Sequence, residues 1–413
     1  MSQTFRSSPA FGHFWAARTA SYLGDFITLT ALILYLQESG HGPADIALAL
    51  IARALPQALG PFAGALADLV DARKLMIVCD LGRLILIGAL AVTLPPFPVM
   101  LAVLALASLL STAFLPAGKS TVPKLVGSEQ LGTANSLLAM SHNLSLAVGP
   151  VVSALLFTHA GARAAFAVDA LSYGVSLLLL LGLPALPAAK RTEERASAAR
   201  FLRDIREGLG YVARHRIARA VTLGLFLGIS LAGLDNVALV FLLREDLDAG
   251  PQALGIATGV YGAAMIVAPL LLLRAGKLSA DWYFVAGLAA SGLGLLLTGV
   301  STAVWLCVVC YAVAGIGNGL ENVACDTLLG RTVPEHLLGR VFGAVYGPIF
   351  LAETAAAALG SALLTAMSPR AVFVVAGTGL LFLSVGVRIL IPRGTERSDA
   401  DSSVSTRPVP EAP

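Results

Sequence analysis

Apolar residues in this chain run in long blocks, and polar residues gather in short seams between them. Twelve blocks are predicted as membrane-spanning helices. The first six cover 11–37, 44–68, 74–95, 98–117, 135–158 and 162–184. The second six cover 219–243, 250–274, 279–300, 302–326, 339–367 and 370–392. About 20 mostly apolar residues match a hydrocarbon core of roughly 30 Å, so each block can cross a bilayer. The seam Gly64–Lys74 shows how tight the turns are, placing Asp68, Asp71, Arg73 and Lys74 at one membrane face. Punctuation is weakest between 135 and 184, where His159–Arg163 alone marks a turn. The pattern predicts an all-α polytopic membrane protein of 12 transmembrane helices in two six-helix halves.

The polar interval 185–218 separates an N-terminal bundle, 1–184, from a C-terminal bundle, 219–392. Within it, apolar residues at 201, 202, 205, 209 and 212 follow a helical period, which predicts an amphipathic cytoplasmic helix leading into span seven. Residues 393–413, rich in Ser, Pro, Glu, Asp and Arg, read as a disordered cytoplasmic tail. Thr121–Pro123 follows the fourth span and the same triplet, Thr332–Pro334, follows the tenth. Both precede a Leu-Gly pair, Leu131–Gly132 and Leu338–Gly339, so the halves read as a duplication, a feature of many secondary transporters.

Composition agrees with the pattern. The 413 residues are 57% hydrophobic and 13% charged, with a mean hydropathy of +0.81, where a soluble protein carries about 25% charge. The basic residues fall mainly in one set of connections. Arg73 and Lys74, Lys119 and Lys124, the run from Lys190 to Arg216, Arg274 and Lys277, Arg331, and Arg393, Arg397 and Arg407 share a face if each block crosses. The other face has Arg163, Arg244 and Arg370. That asymmetry predicts a multi-pass plasma (inner) membrane protein with both termini cytoplasmic. Basic residues spent on orientation leave no face for nucleic acid. Cys79, Cys307, Cys310 and Cys325 all lie in predicted spans and read as packing, with no metal pattern and no cofactor motif. The polar N-terminus and long first block do not read as a cleavable signal.

Charges inside the blocks are the candidate chemistry, because a mid-bilayer charge costs about 2.5 kcal/mol or more and faces a bundle interior or a partner. Asp25 and Arg53, on adjacent antiparallel spans, form a possible pair, either static or gating. Arg18, Asp80 and Arg83 read as a charge cluster near the cytoplasmic gate, with Arg83 alternatively attracting an anionic substrate group. Asp235, Glu321 and Glu353 join Asp25 as proton-coupling candidates, with Asp169 a fifth. A carboxyl group in low dielectric titrates nearer neutral pH, which proton antiport needs; a fixed helix-contact role is the alternative for each. Asn135, His142 and Asn143 form a polar set on span five. Gly149–Pro150 and Gly347–Pro348 predict kinks in spans five and eleven.

With these motifs in order, the chain resembles the major facilitator superfamily over nearly its whole length, in a flavour similar to macrolide efflux proteins and the enterobactin exporter. Gly64, Asp68, Asp71 and Arg73, followed by Lys74, fit that family's signature between spans two and three, while Leu69 and Ala72 stand where basic residues are usual. Phe14, Trp15, Arg18, Leu23 and Asp25 match the branch's first span, Leu131–Ser136 opens its fifth, and Gly149–Pro150 looks like its shortened antiporter motif. The resemblance implies a non-enzymatic secondary exporter of amphipathic small molecules, drug/proton antiport by alternating access, acting as a monomer. It also implies that Gly64 allows close helix approach and Asp68 helps hold the halves together. An exporter of a defined metabolite such as a siderophore, a lipid flippase or scramblase, and a membrane scaffold are the alternatives.

Overall fold

Every described segment of regular structure is helical, as lipid demands, since only helices and closed barrels satisfy their backbone polar groups in hydrocarbon. The computed structural model describes residues 8–187, 198–275, 279–334 and 337–391. Lys190, Arg191, Arg195 and Lys277 and the tail 393–413 lie outside them, as does the side chain of Asp68.

The N-terminal portion begins with α1 (Pro9–Glu38), capped by the Ser8 hydroxyl accepting from the Phe11 N–H at 3.2 Å. The second predicted span is three pieces: α2 (Pro43–Ala54), a 3₁₀ turn over Leu55–Leu59, and α3 (Gly60–Leu69). Pro56 and Pro61 lack the N–H groups a continuous helix uses. Next come α4 (Ala72–Thr93), α5 (Phe97–Leu125) and the long α6 (Leu131–Leu181). The two spans predicted from 135 to 184 run on as this one element, but its backbone breaks at Gly161, with φ 75° and ψ 178°. Glycine alone adopts that conformation cheaply, and the break stands within the predicted turn His159–Arg163.

The predicted linker helix is α7 (Ala198–Arg214). It packs on the C-terminal portion, where Glu207 pairs with Arg340 at 2.7 Å and the Tyr211 hydroxyl donates to the Thr332 carbonyl at 2.8 Å. The seventh span is α8 (Arg216–Ala232), a turn at Gly233–Leu234, then α9 (Asp235–Phe241) and a π turn over Leu242–Asp246. There follow α10 (Gln252–Ala275), α11 (Ala280–Val300) and α12 (Val304–Thr332). Last are α13 (Leu338–Tyr346), α14 (Ile349–Ala366) and α15 (Pro369–Leu390). Among the described residues nine helices are long and apolar enough to cross a membrane, and Gln252–Val267 is a shorter apolar helix.

The two Gly-Pro sites behave differently. Gly347–Pro348 separates α13 from α14 as expected. At Gly149–Pro150 the backbone stays α-helical, so the expected local unwinding is absent. That site is instead a contact point. A Cβ on Gly149 would sit 2.6 Å from Phe26 of α1, and the Pro150 carbonyl lies 2.5 Å from where Gly255 of α10 would carry one.

Helices of the two portions meet along one side of the molecule: α14 on α2, α9 on α1 and α2, and α10 on α6. On α10, Gly255, Gly259 and Gly262 bring backbone against the Ala147–Ala154 stretch of α6, leaving no room for side chains. Small residues at a membrane helix interface permit such approach. Arg244 donates to Gln37 at 3.3 Å at the same end.

Candidate functional site

Following α6 from Ala154 back to Asn143, and α10 from Gly255 on to Met265, the two helices pass from backbone contact to opposite walls of a cavity. Its volume is about 480 Å³, and its lining is Asn143, Met265, Gly319, Asn322, Val323, Asp326 and Tyr346. The α12 contributors stand at i, i+3, i+4 and i+7 from Gly319, which is one helical face. On that face Asn322 donates to Asn318 at 2.9 Å. Tyr346, the last residue of α13, donates its hydroxyl to Asp326 at 2.5 Å. The cavity therefore offers two amides, one carboxylate with its phenol, and the apolar Met265 and Val323. A pocket mostly apolar in outline with a few converging polar groups is the usual form of a small-molecule site.

The coupling candidates lie behind these walls. Glu321, one residue before Asn322, is 6% exposed and turns toward α11, accepting from the Ser291 hydroxyl at 2.5 Å. Asp235, placed at the start of α9 by the break at Gly233–Leu234, is 7% exposed and accepts from Tyr311 at 2.7 Å. The Tyr311 ring packs on Tyr261 of α10, centroids 4.8 Å apart. Glu353 stands exposed on α14, with Arg53 of α2 as a cation within electrostatic reach.

In the N-terminal portion the expected Asp25–Arg53 pair is not made. Asp25 instead accepts from the Tyr173 hydroxyl at 2.6 Å. Asp169, one turn earlier on α6, is fully buried, accepts from Thr28 at 2.5 Å, and lies against Gly24. The Asp80–Arg83 pair predicted from its spacing of three is present and sealed, with Asp80 0% and Arg83 1% exposed. Ser176 donates to the second Asp80 oxygen at 2.6 Å. The Arg83 guanidinium lies over Tyr173 at 4.5 Å and Phe114 at 4.8 Å, and Arg18 lies over Tyr22 at 4.2 Å and Phe114 at 4.7 Å. Aromatic faces attract such cations, so one chain of contacts links Asp80, Arg83, Tyr173 and Asp25. His142 packs edge-on against Tyr22 and Phe26.

The signature turn also works differently from the expectation. Asp71 caps α4 by accepting from the Lys74 N–H at 3.0 Å, and its other oxygen accepts from the Leu186 N–H at 2.9 Å. Arg73 donates to the carbonyls of Leu180 at 3.1 Å and Leu181 at 2.5 Å. The loop thus ties α4 to the end of α6, within the N-terminal portion. Among the described residues a Cβ on Gly64 would meet nothing within 4 Å, so the expected close approach there is not made in this conformation.

Asp326, Tyr346, Tyr173 and Tyr311 escaped the sequence reading. The stripe of Asp169, Ser172, Tyr173 and Ser176 at i, i+3, i+4 and i+7 is a signal that reaches one of them, and the α12 stripe reaches another.

Comparison with known proteins fits this arrangement. A family model described as Major Facilitator Superfamily matches residues 14–243 and again residues 221–413. The chain is 27% identical over 397 residues to YfiS, an uncharacterized MFS-type transporter of Bacillus subtilis (strain 168), covering 94% of each chain. It is 26% identical over 397 residues to the enterobactin exporter EntS of Shigella boydii serotype 18, covering 92% of this chain and 91% of that one. Macrolide efflux protein A of Streptococcus pyogenes is 26% identical over 270 residues, 62% of this chain and 64% of its own. Among solved structures, a peptide transporter POT in complex with sulfate superposes with a TM-score of 0.73 at 17% identity, covering 94% of this chain and 95% of that one. At that identity the likeness is one of fold. The chain is a membrane transporter of small organic compounds, not an enzyme, and it belongs to the Major Facilitator Superfamily.

Proposed function

We propose that the protein is a secondary active exporter of amphipathic small molecules, working by alternating access and coupled to inward proton flow in the plasma membrane. The observation that carries this reading is the cavity between α6, α10, α12 and α13, which narrows to backbone contact along Gly255, Gly259 and Gly262. A cavity closed at one end by glycine packing is what one limit of a rocking cycle needs. The names of the two exporters among its relatives support the outward direction.

Twelve crossings in two sixes are part of the proposal. Splitting α6 at Gly161 and counting α2–α3 and α10 as crossings supports that number. Both termini then share the cytoplasmic face. The three basic residues of the opposite face have structural work that explains their presence there. Arg163 donates to the Val92 carbonyl at 2.6 Å, Arg244 to Ala249 at 3.1 Å, and Arg370 to Ser301 at 2.5 Å while meeting Asp246 at 3.3 Å. Helix ends welcome such cations. With that orientation the structure is the inward-open limit, and the glycine seam is the outer gate.

Asp25, Asp235, Glu321 and Glu353 are the proposed proton carriers, with Gly64, Asp68, Asp71, Arg73, Gly149 and Pro150 serving the gating movement. A defined polar metabolite is the second reading for the cargo, favoured by Asn143, Asn322 and Asp326 in the cavity wall.

Everted vesicles carrying a proton-sensitive dye test the proposal, with a panel of macrolides, cationic dyes and siderophores added in turn. Substrate-driven proton release is expected in wild type and is lost in at least one of Asp25→Asn, Asp235→Asn, Glu321→Gln and Glu353→Gln. Uptake indifferent to the pH gradient, with all four variants behaving as wild type, rules out proton coupling through these groups.

A further inference from the structure

The charge that faces the cavity is negative, and the cations of the opposite portion are withdrawn from it. Asp326 is exposed on the cavity face of α12. Among the described residues it makes no ion pair with Lys or Arg, and its hydrogen bond comes from the Tyr346 hydroxyl. On the N-terminal side, Arg18 is 8% exposed beneath the Tyr22 and Phe114 rings, and Arg83 is neutralised by Asp80. A guanidinium behind aromatic rings or bonded to a carboxylate does not serve as an anion receptor for the cavity.

We infer that the cavity selects a cation, a lipophilic molecule carrying a protonated or quaternary amine or an equivalent onium centre, with Asp326 as its counter-ion. This rests on reading the cavity as the substrate site. The other lining groups fit such a guest. The Tyr346 ring offers a face to a cation. Met265 supplies a soft, polarisable surface that adapts to varied apolar shapes, and the Asn143 and Asn322 amides accept from an N–H. The volume of about 480 Å³ suits a drug-sized molecule. Desolvation explains the selectivity. An anion entering would lie beside an unpaired carboxylate in a site of reduced dielectric, where like charges repel far more than in water.

The test compares tetraphenylphosphonium with tetraphenylborate, which share size and shape and differ in sign. Equilibrium dialysis of the purified full chain in detergent, corrected with protein-free micelles, gives both affinities. Wild type is expected to bind the cation at least about tenfold more tightly, the scale of one close charge interaction. Asp326→Asn is expected to erase that preference, and Asp326→Glu to keep it. Asn322→Lys, which sets an ammonium one helical turn from Asp326, provides a second route to the same loss if Asp326→Asn does not fold. Equal or reversed preference in wild type, no cation binding, or a preference surviving both neutralising variants overturns the inference. Reconstituted vesicles separate it from the transport reading. Cation binding through Asp326 with no movement of any probe sinks transport and leaves the site. Movement of compounds regardless of charge sinks the inference and leaves transport.

Discussion

The Tyr173 hydroxyl donates to the Asp25 carboxylate at 2.6 Å, joining α6 to α1 in the interior of the N-terminal portion. Tyr311 does the same for Asp235 at 2.7 Å in the C-terminal portion, joining α12 to α9. Asp25 is on the first helix of the chain and Asp235 on the seventh predicted span, so the first span of each proposed half holds a carboxylate against a phenol. Each bond consumes a polar atom that lipid and packed side chains would otherwise leave unsatisfied.

Removing either phenol exposes that dependence. Tyr173→Phe and Tyr311→Phe each leave a carboxylate without its donor, at a cost of about 1–3 kcal/mol. Thermal unfolding in detergent is expected to shift down for both. Transport by the two variants, compared at matched protein levels, shows whether the bond also serves the working cycle.

The Asp80–Arg83 pair predicts a larger effect. With both side chains sealed from solvent, Asp80→Asn or Arg83→Ala strands one buried charge, a change of about 3–5 kcal/mol. The double variant Asp80→Asn with Arg83→Gln is expected to recover much of the loss, because no charge is left unpaired. A double-mutant cycle on unfolding temperature reads the coupling; additive losses contradict the pair.

At the glycine seam, size is the variable. A Cβ at Gly259 would lie 2.7 Å from the Ala147 carbonyl oxygen, and one at Gly255 2.5 Å from that of Pro150. Backbone cannot yield as a side chain does. Gly259→Val is expected to keep this seam from closing, raising thiol labelling of a cysteine introduced at Val151 and abolishing net transport. Gly64→Ala, with nothing within 4 Å among the described residues, serves as the tolerated control in this conformation.

The signature turn predicts a stability effect rather than a substrate effect. Asp71→Ala loses the α4 cap and the bond to the Leu186 N–H, costing about 1–2 kcal/mol. Arg73→Ala frees the carbonyls that end α6. Both are expected to lower unfolding temperature and leave tetraphenylphosphonium affinity unchanged; a changed affinity contradicts a purely local tie.

The membrane class, the helical content and most element limits were determined by the sequence, for a physical reason that acts locally. Apolar blocks of bilayer length leave the backbone one solution, and the turns announce themselves through Gly, Pro and charge, as at Gly161 and Asp71. The Asp80–Arg83 pair was legible because three residues on a helix fix a shared face. Partners on other helices were not. Asp25 has Arg53 opposite it on a neighbouring span, yet bonds to Tyr173, 148 positions away, because the rotation of each helix is set by packing against several neighbours at once. The same rotation turns Glu321 into the bundle and presents Asn322 and Asp326 to the cavity, a difference of one residue that apolar periodicity cannot register. Gly149–Pro150 was marked as a kink by its composition; only its neighbours α1 and α10 made it a contact point instead. The tertiary structure therefore decided which intramembrane polar groups face one another and which face the cargo.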